Sequence, residues 1–499
     1  MTAIDIHRGL NGRTILLTGF TGFMGKVLTE KLLRCCPEVR HIYLVVREKK
    51  GRSATERMEE VLKDPLFSVL EKEVPKYRLR LTALSGDCSL PNLGLSDEDK
   101  KKVTDEVSMV FHGAATVRFD ESLKVAYLSN VQGTKEVLRL AKEIKNLAVL
   151  VHISTAYANC HLQKIEERFY EAPMDDKRLE DMVQNMDDSI LEAIRPKIIG
   201  RWPNTYSFTK AMAESIVKSY ASQLPIVVFR PAIIVGTSKE PLIGWTDNLY
   251  GPTGIVVGAG CGVLRSMYCD LDCIANIVPV DMAVSAMLTG AIKRIQDPPA
   301  DDTIPIYHFV SSTDNPLKWR EFKRLIELHG QDVPPIKAIW CYFMTTHRYK
   351  INHYIAILFL HYLPAIILDT ITKLTKGDNP NLYKIYRKID KYSEIIEHFS
   401  IRSWDFTNDN MKKLRMMQTD KDRAEFNFDI ANLNWSEFFY NYIRGLRVYL
   451  LKDGMETLPK ARVRWHRFQI AQRIMLTIFY LFVALMAYRL FTCFLSITA

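Results

Sequence analysis

Nothing in the cysteine pattern of this chain points to a metal centre or a disulfide framework. The nine cysteines (Cys35, Cys36, Cys88, Cys160, Cys261, Cys269, Cys273, Cys341 and Cys493) are scattered without paired ligand spacing. They read as reduced thiols of a protein that faces the cytosol. Residues 1–11 are polar and lack the apolar core of a secretory leader, so none is expected. Internal repeats and low-complexity runs are missing as well. The net charge of +10 comes from basic residues spread widely, with one dense cluster near the C-terminus. That distribution argues against a nucleic-acid partner and suits a membrane surface. What remains is ordinary globular material, 47% hydrophobic and 25% charged, in 499 residues, too many for one small core. Two or three structural units are expected.

The stretch around which the chain is organised is Thr14-Ile15-Leu16-Leu17-Thr18-Gly19-Phe20-Thr21-Gly22-Phe23-Met24-Gly25. Its apolar start reads as a strand buried on both faces, and residues 26–33 follow with helical periodicity. A strand, a Gly turn and a helix N-terminus make an anion site: backbone N–H groups point outward and missing Cβ atoms let a pyrophosphate approach. Thr18, Gly19, Thr21, Gly22, Phe23, Met24 and Gly25 are the expected cofactor contacts. The G-x-x-G-x-x-G spacing resembles the extended short-chain dehydrogenase/reductase superfamily.

Five more strand-like runs follow, at residues 41–46, 79–84, 107–112, 148–153 and 225–231. With helical segments between them they predict an α/β fold, a doubly wound parallel sheet of Rossmann type with ligand at the strands' carboxyl ends. The second run ends at Arg47, where an NAD-selective site carries an acidic residue; Lys49, Lys50 and Arg52 lie close behind. Arg47 and Arg52 suit a 2′-phosphate, which favours NADPH, although a solvated basic loop has the same composition. Asp87, after the third run, occupies the place of an adenine-edge ligand in the superfamily and equally suits a turn. Small Ala114 and Ala115 would let the nicotinamide ribose pass close to the fourth strand. Asn130 reads as a buried amide bridging backbones. A short element at residues 277–281 looks like a return to the sheet.

Tyr206 and Lys210 stand four apart at the head of a helix, so both side chains share one face. A phenol with a pKa of about 10 is a poor acid–base catalyst at neutral pH, and a neighbouring ammonium lowers that value. Tyr206 can then protonate a carbonyl oxygen while Lys210 binds the nicotinamide ribose. Thr155 would offer its hydroxyl to the same oxygen, with Ser154 as the alternative.

The resemblance narrows with Thr18-Gly19-Phe20-Thr21-Gly22-Phe23-Met24-Gly25-Lys26-Val27, His112-Gly113-Ala114-Ala115-Thr116-Val117-Arg118-Phe119, Ser154-Thr155-Ala156-Tyr157-Ala158-Asn159 and Val228-Phe229-Arg230-Pro231-Ala232-Ile233-Ile234. These, with Glu240-Pro241-Leu242-Ile243-Gly244-Trp245-Thr246-Asp247-Asn248 and Phe426-Asn427-Phe428-Asp429, resemble the animal, insect-type fatty acyl-CoA reductases over nearly the whole chain. The resemblance implies reduction of a long-chain acyl-CoA to a primary alcohol with two NADPH, by way of an aldehyde. It also implies a unit over 13–295 with cofactor site and substrate lobe, and a connecting region over 296–378. A helical C-terminal domain over 379–455 and a basic flank with a membrane anchor over 456–499 complete the division. One departure is Phe20, where the family carries a small residue; a ring turned inward there would crowd the pyrophosphate. The competing readings are an extended dehydrogenase or epimerase with another substrate, and an impaired membrane-bound binding protein.

Lys460, Arg462, Arg464, Arg467 and Arg473 precede an apolar run from 474 to about 497, interrupted by Arg489. About 20 apolar residues cross a hydrocarbon core. The basic flank should stay cytosolic, keeping the catalytic part there; a hairpin or in-plane helix is the alternative. The apolar segment 349–368, interrupted by His361 and Pro364, is expected to line the acyl site or lie on the bilayer. Ile497-Thr498-Ala499 is not a retention or peroxisomal tripeptide, so endoplasmic reticulum is favoured without excluding peroxisome. Oligomeric state is not fixed by the sequence.

Overall fold

The computed structural model describes residues 3–375 and 381–498, with backbone only at 490 and 493–498. The expected boundary at 378/379, the Cys493 thiol and the terminal Ala499 lie outside the described residues.

Seven parallel strands form the central sheet: β1 (Thr14–Thr18), β2 (His41–Val46), β3 (Leu81–Ser85), β4 (Met109–His112), β5 (Val149–Ile153), β6 (Ile226–Pro231) and β7 (Ile306–Phe309). Their order is β7-β6-β5-β4-β1-β2-β3. The winding reverses between β1 and β4, and such a switch point opens a crevice at the strands' carboxyl ends. Alternate residues of one strand feed two cores. Ile15 and Leu17 face one cluster and Leu16 the other, which is why these runs are apolar without alternation.

Four helices or helix groups place the site. α1 (Phe23–Cys35) follows β1, and α2 (Thr205–Ser219) packs its Phe208 and Met212 into the cluster on the other sheet face. α3 (Val280–Gln296) is buried along most of its length beside α1 and β6. Beyond the sheet, α4 (Lys350–Ile357) runs through a π turn into α5 (Leu363–Leu374), and α6 (Leu382–Ser400) packs on α5. The last helix is α7 (Leu458–Thr498).

All six expected strands form. The third begins two residues late, because Tyr77–Arg80 makes a 3₁₀ turn that leaves Leu79 in solvent. The seventh, β7, pairs with β6 inside the region expected to be a connector, so the sheet continues past residue 295. Ile277–Pro279 does not return to the main sheet; it pairs with Ile233–Val235 in a separate ribbon. The C-terminal region also packs against the sheet. Phe406, Met411, Leu414, Phe426, Phe428 and Ile430 belong to the same core as Ile15 and Leu17.

Candidate active site

At the end of β1, Gly19 takes φ +85°, and a Cβ there would stand 2.7 Å from the Ala114 backbone nitrogen. A Cβ on Gly25 would overlap the Gly19 carbonyl oxygen. These two glycines therefore serve the packing of turn on strand and helix on turn, and Gly22 is left to face outward. Gly22 is the N-cap of α1 and supplies no side-chain cap, so the first-turn N–H groups are available to an anion. Gly19, Gly22, Phe23, Met24 and Gly25 line a cavity of about 450 Å³. Phe20 does not crowd it. The ring is fully buried in the core under the sheet and is absent from the cavity wall.

Thr18 is at the wall, but its hydroxyl is committed: it accepts from the Ala114 N–H at 3.2 Å and donates to His112 Nδ1 at 2.8 Å. Thr134 donates to the Asn130 carbonyl and so accepts from His112 Nε2–H at 3.1 Å. Burial pushes His112 down to about 3, consistent with this neutral form. Ala115 lines the cavity; Thr21 and Ala114 do not. Asn130 holds both backbone groups of Thr116 and donates to Thr209 Oγ1, tying the β4 loop to α2.

Arg47, Arg52 and Asp87 are also off the cavity wall. Arg47 is exposed at the end of β2, 3.7 Å from Asp87. Asp87 uses its other oxygen as a turn residue, accepting from Ser89 N–H and Oγ–H. Arg52, also exposed, pairs with Glu60.

Tyr206, Lys210 and Thr155 converge on the cavity as their spacing suggested. Their electrostatics differ from expectation. Burial pushes the Tyr206 phenol up to about 12, opposed by a hydrogen bond from Thr155. Lys210 does not lower it: its ammonium donates to the Ile153 carbonyl at 2.7 Å, and burial brings it down to about 8. The phenol therefore holds its proton at neutral pH, the state of a proton donor. Ser154 is bound elsewhere, donating to Glu214 at 2.5 Å, which leaves Thr155 as the hydroxyl facing Tyr206.

Glu214 opens a buried network. Arg230 of β6 clasps it through Nε (2.8 Å) and Nη2 (2.6 Å), and reaches the carbonyls of Glu166 and Arg168 and His308 Nε2 on β7. The sequence hint was a carboxylate one turn beyond Lys210 and an arginine inside an apolar strand. The far wall of the cavity draws Tyr250 and Ile255 from the expected substrate lobe and adds residues of α6 that were missed. Ile233, Tyr250, Ile255 and Met267 meet Ile396 and Phe399 of α6 there. Phe399 lies 5.4 Å from Phe119, which in turn stacks on Tyr206 at 5.7 Å. No residue of α4 or α5 is on that wall, so the 349–368 segment does not line this cavity. Residues 237–248 are pinned to α1: Trp245 stacks on Phe23 at 5.5 Å, and Lys26 pairs with Asp247 at 2.5 Å.

Residues 17–287 and 360–453 each match a family model described as male sterility protein. The chain is 42% identical to fatty acyl-CoA reductase wat of Drosophila melanogaster over 481 residues, covering 96% of this chain and 92% of that one. It is 37% identical to human fatty acyl-CoA reductase 1, covering 92% and 88%. Among solved structures, the terminal R domain of the myxalamid PKS-NRPS pathway aligns with a TM-score of 0.57 at 19% identity, covering 89% of this chain and 92% of that one. A reductase domain of a Mycobacterium tuberculosis nonribosomal peptide synthetase gives 0.58 at 18%, covering 89% and 95%. These two similarities speak to the fold alone.

Proposed function

The chain belongs to the fatty acyl-CoA reductase family, and from that premise we propose how its site works. It reduces a fatty acyl-CoA to the fatty alcohol with release of CoA. We assign the nicotinamide cofactor as NADPH, held by the Gly22–Gly25 turn, Ala115 and Lys210, with Arg47 at the 2′-phosphate. When bound, each cofactor molecule supplies one hydride, the first to the thioester carbonyl carbon and a second, after exchange of cofactor, to the aldehyde carbon.

The protein's own part is protons and charge. Tyr206, holding its proton, hydrogen-bonds the acyl oxygen and donates to it as charge develops; Thr155 stabilises the same oxygen. Collapse of the hemithioacetal returns the hydroxyl proton to Tyr206 and expels CoA as a thiolate that takes a proton from solvent, and the aldehyde oxygen then takes the same place for the second round. Lys210, positively charged below about pH 8 and anchored on the Ile153 carbonyl, holds the nicotinamide ribose. The apolar wall of Ile255, Met267, Ile396 and Phe399 takes the acyl chain and keeps water from the carbonyl. Residues 13–295 with β7 then form the cofactor part, and α6 brings the C-terminal region to the substrate side. We further propose that α7 anchors the enzyme with its catalytic body in the cytosol, at endoplasmic reticulum or peroxisome.

The observation that supports this reading is the meeting of the Gly turn, Thr155, Tyr206 and Lys210 on one cavity whose opposite wall is apolar. Burial of Phe20 removes the motive for an inactive, binding-only protein. The test is Tyr206→Phe: alcohol formation should fall by at least two orders of magnitude, with the thermal midpoint preserved. Near-normal turnover in that variant would refute the assignment.

A further inference from the structure

The segment Lys350–Leu374 is amphipathic in the reverse sense to a soluble helix. Its buried residues His353, Ile357, His361, Ala365 and Asp369 recur every four positions and so share one face. Three of those five are polar and fastened to the body. His353 Nδ1 meets Ser266 Oγ at 2.8 Å, and His361 Nε2 accepts the Arg265 N–H at 3.1 Å. Asp369 accepts the Leu382 and Tyr383 N–H groups at the start of α6. The opposite face is Ile351, Ile355, Phe359, Ile366, Ile371 and Leu374, each 51–79% exposed.

We infer that α4 and α5 lie half-immersed in one leaflet of a lipid bilayer, as a second membrane contact that does not span. Three features select lipid as the occupant. The first is continuity with α7, whose reading as the anchor this inference rests on. Arg265 binds His361 through its backbone while its guanidinium sits 5.8 Å from the Trp340 ring. Trp340 stacks on Phe468 of α7 at 5.5 Å and donates to Gln472 at 2.8 Å, immediately before the exposed apolar stretch from Ile474. One residue therefore joins the middle of the α4–α5 segment to the point where α7 leaves the body.

The second feature is charge. Lys384, Arg387, Lys388 and Lys391 are exposed along α6, spaced to form a stripe that suits anionic headgroups. The third is attachment. The ties at His353, His361 and Asp369 hold the segment flat against the protein along its length, so it cannot stand across a bilayer without carrying the body in. An in-plane helix with its apolar face down fits these constraints. The arrangement also has a use. Lys350 pairs with Glu397 at 2.8 Å, so the start of α4 adjoins the end of α6, where Ile396, Phe399 and Ser400 line the cavity. An acyl chain entering from the leaflet, or an alcohol leaving into it, would have the shortest apolar path there.

The experiment uses the full chain in phosphatidylcholine–phosphatidylserine vesicles containing photoactivatable lipids, with the diazirine either near the headgroup or at the acyl terminus. Adducts are mapped by peptide mass spectrometry, a readout that needs no turnover. The expected result is labelling within 350–374, at least fivefold stronger from the shallow probe, together with labelling within 474–489. Triple substitution Ile355→Glu/Phe359→Glu/Ile366→Glu, at exposed positions, should cut the 350–374 adducts at least fivefold. It should also raise the KM for vesicle-borne acyl-CoA while leaving kcat in detergent micelles unchanged. Adducts confined to 474–489 would overturn the inference and leave the anchor standing. Stronger labelling of 350–374 by the deep probe would mean that it spans, and overturn it too. Adducts in neither segment would overturn both the inference and the anchor.

Discussion

Replacing Glu214 by Gln isolates the buried network behind the catalytic lysine. The Glu214 and Arg230 side chains are 3% and 1% exposed, and the guanidinium donates two hydrogen bonds to that carboxylate. Removing one partner of a buried ion pair leaves an uncompensated charge and costs about 3–5 kcal/mol. Arg230 keeps two carbonyl acceptors and His308, which places the expected loss toward the lower figure. At about 2.1 cal/mol/K per residue across residues 17–287, the unfolding entropy is roughly 0.57 kcal/mol/K. The midpoint should then fall by about 5–9 °C. A second readout follows from Lys210. Burial lowers its pKa to about 8 and the Glu214 charge opposes that shift, so the amide variant should titrate lower. The alkaline limb of kcat, where the ammonium is lost, should move to lower pH. Differential scanning fluorimetry of the detergent-solubilised enzyme and a pH–rate profile measure the two. A midpoint within about 1 °C of the parent, with an unmoved limb, would refute the role given to this network.

Arg47→Asp should raise the KM for NADPH by about tenfold or more and leave that for NADH little changed, because a phosphate partner becomes a like charge; equal effects on both would remove Arg47 from the 2′-phosphate. A chain truncated after Arg473 keeps the α7 contacts with the body through Phe468 and Gln472. It should be extracted by alkaline carbonate, unlike the full chain, yet still form alcohol from acyl-CoA in detergent micelles; carbonate resistance of the truncated form would mean that the 350–374 segment inserts deeply.

The sheet was legible because strands buried on both faces are written as unbroken apolar runs, as in Ile42-Tyr43-Leu44-Val45-Val46. The seventh strand was not. It is four residues long, and His308, which it buries, looks like a loop residue until Arg230 and the Thr407 carbonyl are seen around it. The Gly-turn and Tyr–Lys spacings pointed to residues that line the cavity, Thr21 excepted, but not to the reasons. Gly19 and Gly25 are demanded by backbone contacts, and Lys210 points to a carbonyl rather than lowering the phenol. The pairing of Arg52 with Glu60 was likewise not legible in the composition of the basic loop. The part of the apolar wall that α6 supplies could not be read. Phe399 reaches Tyr157 only because the chain returns after it, with Trp404 donating to the Cys160 carbonyl and Asp405–Phe406 pairing with Lys164–Ile165.

Stoichiometry shows whether one site carries a fatty acyl-CoA through the aldehyde to the alcohol. Purified enzyme in micelles is given palmitoyl-CoA and limiting NADPH; cofactor loss is followed by absorbance, free CoA by thiol titration and lipid products by mass spectrometry. Two NADPH should be consumed per hexadecanol formed and per CoA released, with only traces of free aldehyde. One NADPH per CoA with hexadecanal accumulating, or CoA release without cofactor oxidation, would contradict it.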